Sequence, residues 1–257
     1  MLNLVKVEFL KLKRKKIVWM MFLATLLMPL LATIYFGNID LSDNAMKYFK
    51  WTIFSYNLWL ILPIILGIFS TMIVSAEYEN DTFKALWIVP VQKTKILISK
   101  FVIVLIYTLV FMSLSILFTL LFGKIIHHIE IDYSLFIFLI RKCFEISGLL
   151  AVSMLPILSV AFLTKKYILP ICLTIVYAFS GFVILMVNMY VHPLSSSTAI
   201  VLRDVPGIIL NQDINIFYSL LSIVRSSLFI SLFWFFENKK GGLLHFGVKC
   251  PLINNSD

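Results

Sequence analysis

An all-α integral membrane fold is predicted by the apolar composition of this chain, the length of its apolar runs and the positions of its cations. Apolar residues make up 61% of the 257 residues and charged residues 14%, with 23 Phe and a mean hydropathy of +0.99. Soluble globular domains average about 45–50% apolar and about 25% charged residues. A chain this poor in polar groups is expected to have lipid as its main solvent.

Six apolar runs are long enough to cross a bilayer as helices. A span needs roughly 20 mostly apolar residues, because about 30 Å of hydrocarbon is crossed at about 1.5 Å per residue and every backbone polar group must bond internally. We expect one transmembrane domain with both termini on the same side, ending in a tail at residues 237–257. The predicted spans are residues 17–36, 52–74, 101–122, 144–163, 168–191 and 214–236.

The distribution of cations predicts that both termini lie in the cytoplasm. With the N-terminus inside, fifteen of the 22 Lys and Arg residues lie in cytoplasmic segments, six lie outside, and Arg225 lies within the sixth span. Cations near span ends are preferentially retained in the cytoplasm. This clustering beside apolar runs accounts for the net charge of +9 without nucleic acid as a partner. We therefore expect a multi-pass protein of the plasma membrane, with the lipid bilayer as a partner.

The first 16 residues precede the first span and are rich in lysine. Leu2, Val5, Phe9 and Leu12 recur at helical spacing, which is typical of a helix lying along the inner leaflet. Other apolar residues lie off this stripe and weaken the pattern. A basic tail that only sets the topology is an equally good interpretation.

The cytoplasmic loop between spans two and three, residues 75–100, carries the main functional signal. Asp81 can cap a short helix within it, and Pro90 can end that helix. The apolar side of this helix consists of Phe83, Leu86 and Trp87. The pattern predicts an amphipathic helix across the cytoplasmic membrane face, where a soluble partner can push on it.

This loop resembles the inner loop of the ABC type-2 permease family. In that family acidic residues precede a Gly-Thr pair, an aliphatic helix, a proline, a basic or polar turn and a closing lysine. Asp81 stands at the usual glycine position, a departure that still favours a helix start. The residues that match the pattern are Glu77, Glu79, Thr82, Leu86, Pro90, Lys95 and Lys100.

The resemblance implies a coupling helix that docks into a groove on a separate ATPase subunit, with two permease subunits, identical or homologous, in the working unit. An ordinary interfacial helix without a partner is the alternative. By resemblance, the residues that contact the ATPase are Glu77, Tyr78, Glu79, Asp81, Thr82, Phe83, Leu86 and Trp87.

The sequence contains no Gly-rich phosphate loop ending in Gly-Lys-Ser or Gly-Lys-Thr. We therefore expect ATP and magnesium to bind the partner ATPase, and this chain to be a non-catalytic transport subunit without a cofactor of its own. The resemblance implies export of amphiphilic or antimicrobial peptides, such as lantibiotics or bacitracin, or of drug-like compounds.

Two alternatives come from other functional classes. One is a membrane anchor or sensor that does not transport. The other is an intramembrane metalloenzyme, which has weak support because Glu77 and Glu79 are not paired with a membrane histidine at ligand-like spacing. No metal site is predicted.

Polar features near the outer half of the membrane leave two questions open. The outer loop, residues 192–213, contains half-length apolar pieces broken by Pro206 and Gly207, for which a re-entrant hairpin is favoured over a surface loop. Arg225 lies in mid-span, where a charge is costly. It is expected either in the transport path or in an intramembrane pair with Glu145 on span four.

Overall fold

The computed structural model describes residues 2–13, 15–37, 45–79, 93–164, 167–208 and 214–228. Within these ranges the chain forms helices and their connections, and no strand occurs among them. The first half consists of α1 (Leu2–Lys13), α2 (Lys16–Phe22), a 3₁₀ turn (Leu23–Leu26), α3 (Leu27–Phe36), α4 (Ala45–Phe49), two π-helical segments (Lys50–Phe54 and Asn57–Ile61) and α5 (Leu62–Glu79). The second half consists of α6 (Lys93–Ile126), α7 (Tyr133–Ser153), α8 (Leu155–Thr164), α9 (Ile168–Val187), α10 (Pro193–Leu202) and α11 (Ile216–Leu228).

Five helical runs are long and apolar enough to cross a membrane. Each overlaps one of the first five predicted spans. The sixth predicted span is described only over the apolar helix α11, so the number of six spans and the cytoplasmic termini stay predictions. The five runs are Lys16–Phe36, Ala45–Tyr78, Lys95–Ile126, Tyr133–Thr164 and Ile168–Val187.

Three of these runs extend well beyond the predicted spans. The run Lys95–Ile126 has 32 residues, about 48 Å of helix against about 30 Å of hydrocarbon. The fourth run begins at Tyr133 instead of residue 144, because Asp132 caps α7 by accepting a hydrogen bond from the Tyr133 N–H at 2.7 Å. An apolar window detects the part of a helix that lipid surrounds, whereas caps and tertiary contacts set where the helix ends.

Close helix contacts build the bundle around an aromatic core. α6 packs along α7, and α5 packs on α8 and α9. The rings of Phe69 on α5 and Tyr107 on α6 are stacked with centroids 3.8 Å apart. α5 and α9 meet where Gly67 faces Thr174, so closely that a Cβ on Gly67 would overlap the Thr174 side chain. These contacts fix α5 against both neighbouring parts of the bundle.

The half-length helix α10 is enclosed by protein, because all ten of its residues are buried and it packs against α7 and α9. His192 caps its start: the ring Nδ1 accepts a hydrogen bond from the Leu194 N–H at 3.2 Å, and Pro193 occupies the first turn. Burial lowers the pKa of His192 to about 4, so the ring is neutral at pH 7 and can accept this bond. Whether α10 lies at membrane depth stays a prediction.

Candidate coupling site at the cytoplasmic ends of α5 and α6

Four charged side chains from three helices meet at the base of the predicted coupling loop. The Lys100 ammonium lies 3.1 Å from Glu8 and 3.0 Å from Glu77, and the Lys11 ammonium lies 2.9 Å from each of the same carboxylates. The two cations and two anions form a closed, alternating ring of zero net charge. We refer to Glu8, Lys11, Glu77 and Lys100 as the cytoplasmic clamp.

Local helix geometry explains why these residues converge. Glu8 and Lys11 are three residues apart on α1 and therefore lie on the same face of that helix. Glu77 lies in the last turn of α5, and Lys100 lies two turns into α6. The chain thus leaves the clamp after Glu77 and returns to it at Lys100. Both ends of the loop are held by one set of ion pairs, to which α1 also belongs.

The clamp is almost completely removed from solvent. Lys100 is 0% exposed, Glu77 3% and Glu8 7%, while the Lys11 side chain keeps 40% exposure at the rim. The Lys100 ammonium donates hydrogen bonds to the Glu8 carboxylate at 3.1 Å and to the Ile73 carbonyl at 3.3 Å, and it forms an ion pair with Glu77. Buried ions cost several kcal/mol each unless their hydrogen-bonding capacity is met. Two hydrogen bonds and two ion pairs offset part of this cost for Lys100.

Electrostatics keep the two α1 members of the clamp ionised at neutral pH. Burial acts to raise the pKa of Glu8, but attraction to Lys100 and hydrogen bonds from Lys11 outweigh burial and hold that pKa below its usual 4.5. Burial acts to lower the pKa of Lys11, but hydrogen bonds to Glu8 and Glu77 raise it above its usual 10.5. The ion pair between Glu8 and Lys11 is therefore present across the physiological range.

These positions revise one of the predicted ATPase contacts. The Glu77 carboxylate is enclosed by Lys11 and Lys100, which argues against a surface contact with a soluble subunit. Tyr78 is half-buried and donates its hydroxyl to the Phe162 carbonyl at 3.0 Å. Glu79 ends α5, and its side chain lies outside the described part. The remaining predicted contacts also lie outside the described residues and stay predictions: Asp81, Thr82, Phe83, Leu86 and Trp87.

Sequence reasoning missed Glu8 and Lys11 as members of the site. The available signal was a single acid, Glu8, in an otherwise basic segment, followed by a lysine at helical spacing. An acid in that segment has no role in setting the membrane topology, so Glu8 indicates another function. Lys100, which matches the family motif, needs a counter-charge if its helix enters the membrane.

A second charged cluster, at the opposite end of the bundle, corrects the predicted partner of Glu145. Lys142 is 0% exposed, and its ammonium lies 2.8 Å from Glu145, 2.7 Å from the Val201 carbonyl and 3.4 Å from Asp204. Arg203 lies 3.9 Å from Glu145. The ion pairs of Glu145 in the described structure are thus with Lys142 and Arg203, which replace the predicted pair with Arg225.

Lys142 closes the C-terminal end of α10. A cation there stabilises the partial negative charge of the last carbonyls, of which Val201 is one. Burial acts to raise the pKa of Asp204, but attraction to Lys142 and a hydrogen bond from Arg203 hold it below its usual range. In the described residues no group of three or more His, Cys, Asp or Glu is arranged to hold a metal ion.

Comparison with known proteins identifies the family. Residues 4–181 match the family described as "ABC-2 family transporter protein". The chain belongs to this family. The matched region runs from α1 to α9 and includes all four clamp residues. Family membership and the five long apolar helices make the chain a multi-pass protein of the plasma membrane.

A curated relative is similar over half of the chain. The bacitracin transport permease protein BCRB of Bacillus licheniformis is 29% identical over 131 residues, which are 50% of this chain and 63% of the relative. The match thus spans less than two thirds of that relative's length. No solved structure matches.

Proposed function

We propose that this chain forms the membrane path of an exporter for amphiphilic or antimicrobial peptides, driven by a separate ATP-binding cassette ATPase that docks on the loop at residues 80–92. ATP and magnesium bind the ATPase, and two permease subunits complete the transporter. The clamp is the observation that carries the proposal. It supports a mechanical role for the loop, because both loop ends are fixed in one buried set of ion pairs.

The contacts of the clamp explain how movement at the loop reaches the membrane. A push on the loop acts through Glu77 and Lys100 on α5 and α6 together, since one carboxylate–ammonium pair at 3.0 Å joins them. α1 moves with them, because Glu8 and Lys11 bind both of these residues. α5 in turn packs on α8 and α9, which packs on α10. The chain of contacts therefore runs from the loop to the enclosed half-length helix.

The substrate class rests on the relative and on the character of the bundle. The relative is named for bacitracin transport, and the inference of a peptide substrate comes from that similarity. Three of the described spans, Lys16–Phe36, Lys95–Ile126 and Ile168–Val187, expose large apolar side chains over most of their length, as expected for a bundle that an amphiphile can reach from the bilayer. A membrane anchor or sensor would not need the cytoplasmic clamp, which connects the loop to three helices.

Co-purification tests the ATPase partner. The tagged full chain, extracted in mild detergent from its own cells, should recover an ATPase. Replacing residues 80–87 with Gly and Ser should abolish recovery while the protein remains folded. The matched control replaces His128, Glu130 and Ile131 of the connection between α6 and α7 in the same way, keeps the buried Ile129, and should leave recovery unchanged. Equal recovery with all three proteins would refute docking at the loop.

Transport is tested in cells and in membranes. Co-expression with the ATPase should raise resistance to bacitracin, and ATP should change the labelling rate of single cysteines placed at residues 205–208. A chain that binds an ATPase but shows no nucleotide-dependent labelling would be an anchor or sensor. Cross-linking between two tagged copies tests whether the permease pair consists of identical chains.

A further inference from the structure

A groove of about 410 Å³ lies between α11 and the turn that follows α9. The α11 residues recur at positions i, i+3, i+4 and i+7, so they form one face of the helix. Tyr190 forms the opposite wall. The residues that line this space, the Arg225 groove, are Tyr190, Tyr218, Leu221, Ser222 and Arg225.

Arg225 gives this groove a positive charge at depth. It lies nine residues after Ile216, the first residue of α11, which is about 13 Å along a helix and near the middle of the hydrocarbon in the predicted topology. Helical side chains lean toward the N-terminal end, which directs the guanidinium toward Leu221 and Tyr218. Arg225 is exposed, and it belongs to none of the ion pairs formed among the described residues. A cation at this depth is costly unless it faces a cavity or binds an acceptor or counter-charge.

The wall opposite Arg225 is held in place by hydrogen bonds. The hydroxyls of Ser195 and Ser196 on α10 donate to the Met189 carbonyl at 3.1 and 2.7 Å. The Tyr190 hydroxyl accepts a hydrogen bond from the Asn215 N–H, next to the start of α11, at 2.9 Å. Met189 therefore attaches the turn that follows α9 to α10, and Tyr190 attaches the same turn to the start of α11.

The chemistry of the lining selects an anionic amphiphile. A guanidinium binds phosphate and carboxylate through two parallel hydrogen bonds. Tyr218 and Leu221 are more than half exposed, and Val224 on the same helix is 51% exposed. These side chains give an apolar surface that continues from the cation toward the surrounding lipid. A charged head with an apolar tail matches both parts of the surface.

We propose that the Arg225 groove binds the phosphate or carboxylate head group of an amphiphile whose apolar chain lies along α11. This inference rests on the proposed export function and gives it a substrate-binding or lipid-binding site. The head group supplies the counter-charge of Arg225.

Binding of a simple probe tests the groove directly. The full chain in phosphatidylcholine nanodiscs is titrated with dodecyl phosphate, and dodecyl trimethylammonium provides a probe of the same chain length and opposite charge. Arg225→Gln should weaken dodecyl phosphate binding at least about tenfold, the effect of one lost charge-assisted hydrogen bond. It should leave the cationic probe unaffected. The matched control is Arg141→Gln, because Arg141 is also an exposed arginine on a spanning helix but lies outside the groove.

A second variant provides the test if Arg225→Gln does not fold. Leu221→Trp keeps the cation and narrows the groove, so it should also weaken dodecyl phosphate binding. Unchanged affinity in Arg225→Gln, or in Leu221→Trp if Arg225→Gln does not fold, overturns the inference. Conversion of a dimer to a monomer by Arg225→Gln, with unchanged probe affinity, would show that a second copy supplies the counter-charge and would also overturn it.

Two further measurements separate the sources of the anion. If bound phosphatidylglycerol that co-purifies from cells is lost in Arg225→Gln while bacitracin resistance is kept, the ligand is a lipid head group. If resistance is lost and bound lipid is unchanged, the ligand is the exported amphiphile. Recovery of the ATPase by the wild-type chain is scored independently. Failure of groove binding can therefore be distinguished from failure of the proposed export function. The first changes probe binding, and the second changes recovery of the ATPase.

Discussion

The Lys100 ammonium lies 3.1 Å from the Glu8 carboxylate although 92 positions separate the two residues in the chain. This contact joins the N-terminal helix to the start of the third spanning helix, at the point where the predicted coupling loop re-enters the bundle. The stability of the cytoplasmic end should therefore depend on a few buried charges, and their removal gives the sharpest tests.

Replacing Lys100 should destabilise the protein strongly. Lys100→Met leaves Glu8 and Glu77 buried with Lys11 as their remaining cation, and loss of one partner from a buried ion pair costs about 3–5 kcal/mol. Thermal unfolding in detergent should show the loss. The control Lys95→Met removes an exposed lysine from the same helix and should change the midpoint little. Equal midpoints for the two variants would contradict the clamp.

Acid should loosen the attachment of α1. Because the pKa of Glu8 is held below its usual 4.5, the unfolded chain takes up a proton at higher pH than the folded protein does. The contribution of Glu8 is therefore fully present above about pH 4.5 and is lost as pH falls through the lowered folded value. The measurement compares unfolding midpoints of wild type and Glu8→Gln between pH 7 and pH 3. Their difference should shrink below pH 4.5, and a constant difference would argue against this linkage.

Lys142→Met should release the C-terminal end of α10. The variant removes the donor to the Val201 carbonyl and leaves Glu145 near Asp204 with Arg203 as the nearest cation. We expect a loss of about 3–5 kcal/mol, measured by thermal unfolding. Arg141→Met, which removes the adjacent exposed arginine, is the control.

A labelling experiment shows where this loss acts. A cysteine at buried position 197, in a chain whose native cysteines are replaced, should react faster with a maleimide in Lys142→Met than in wild type. Unchanged labelling would place the effect of Lys142 elsewhere in the bundle.

The close approach of α5 and α9 should reject even one methyl group. A Cβ on Gly67 would overlap the Thr174 side chain, a β-branched residue with little rotamer freedom on a helix. Gly67→Ala should cost about 1–3 kcal/mol, and Thr174→Gly should recover part of this in the double variant. Gly148→Ala, whose new Cβ meets nothing within 4 Å, should be neutral or slightly stabilising. Additive effects of the Gly67 and Thr174 variants would show that the two residues do not touch.

Local sequence properties predict where the spans lie, whereas the start of α7 depends on long-range contacts that the local sequence does not show. Apolar composition over about 20 residues is visible without tertiary structure, so five spans were located. The start of α7 was missed because Arg141, Lys142 and Glu145 interrupt its apolar pattern. Lys142 is tolerated there because Glu145 on the same helix pairs with it and because Val201 and Asp204, about 60 residues later, approach its ammonium.

The candidate site shows the same limit. The motif around Glu77 and Lys100 was recognised from sequence, but the role given to Glu77 was that of a surface contact. Its burial depends on Lys11 and Lys100, and a pattern in one loop contains no information about Lys11, which lies 66 residues earlier than Glu77.

The buried pair of Glu8 and Lys100 also sets an order on biogenesis. Glu8 leaves the ribosome first, and its partner follows 92 residues later, on the order of 5–20 s at ordinary rates of synthesis. During this interval Lys100 of the third span is not yet available to pair with Glu8. We expect the nascent N-terminal helix to remain at the membrane surface until then. Insertion of the third span is therefore the event that completes the cytoplasmic end of the protein.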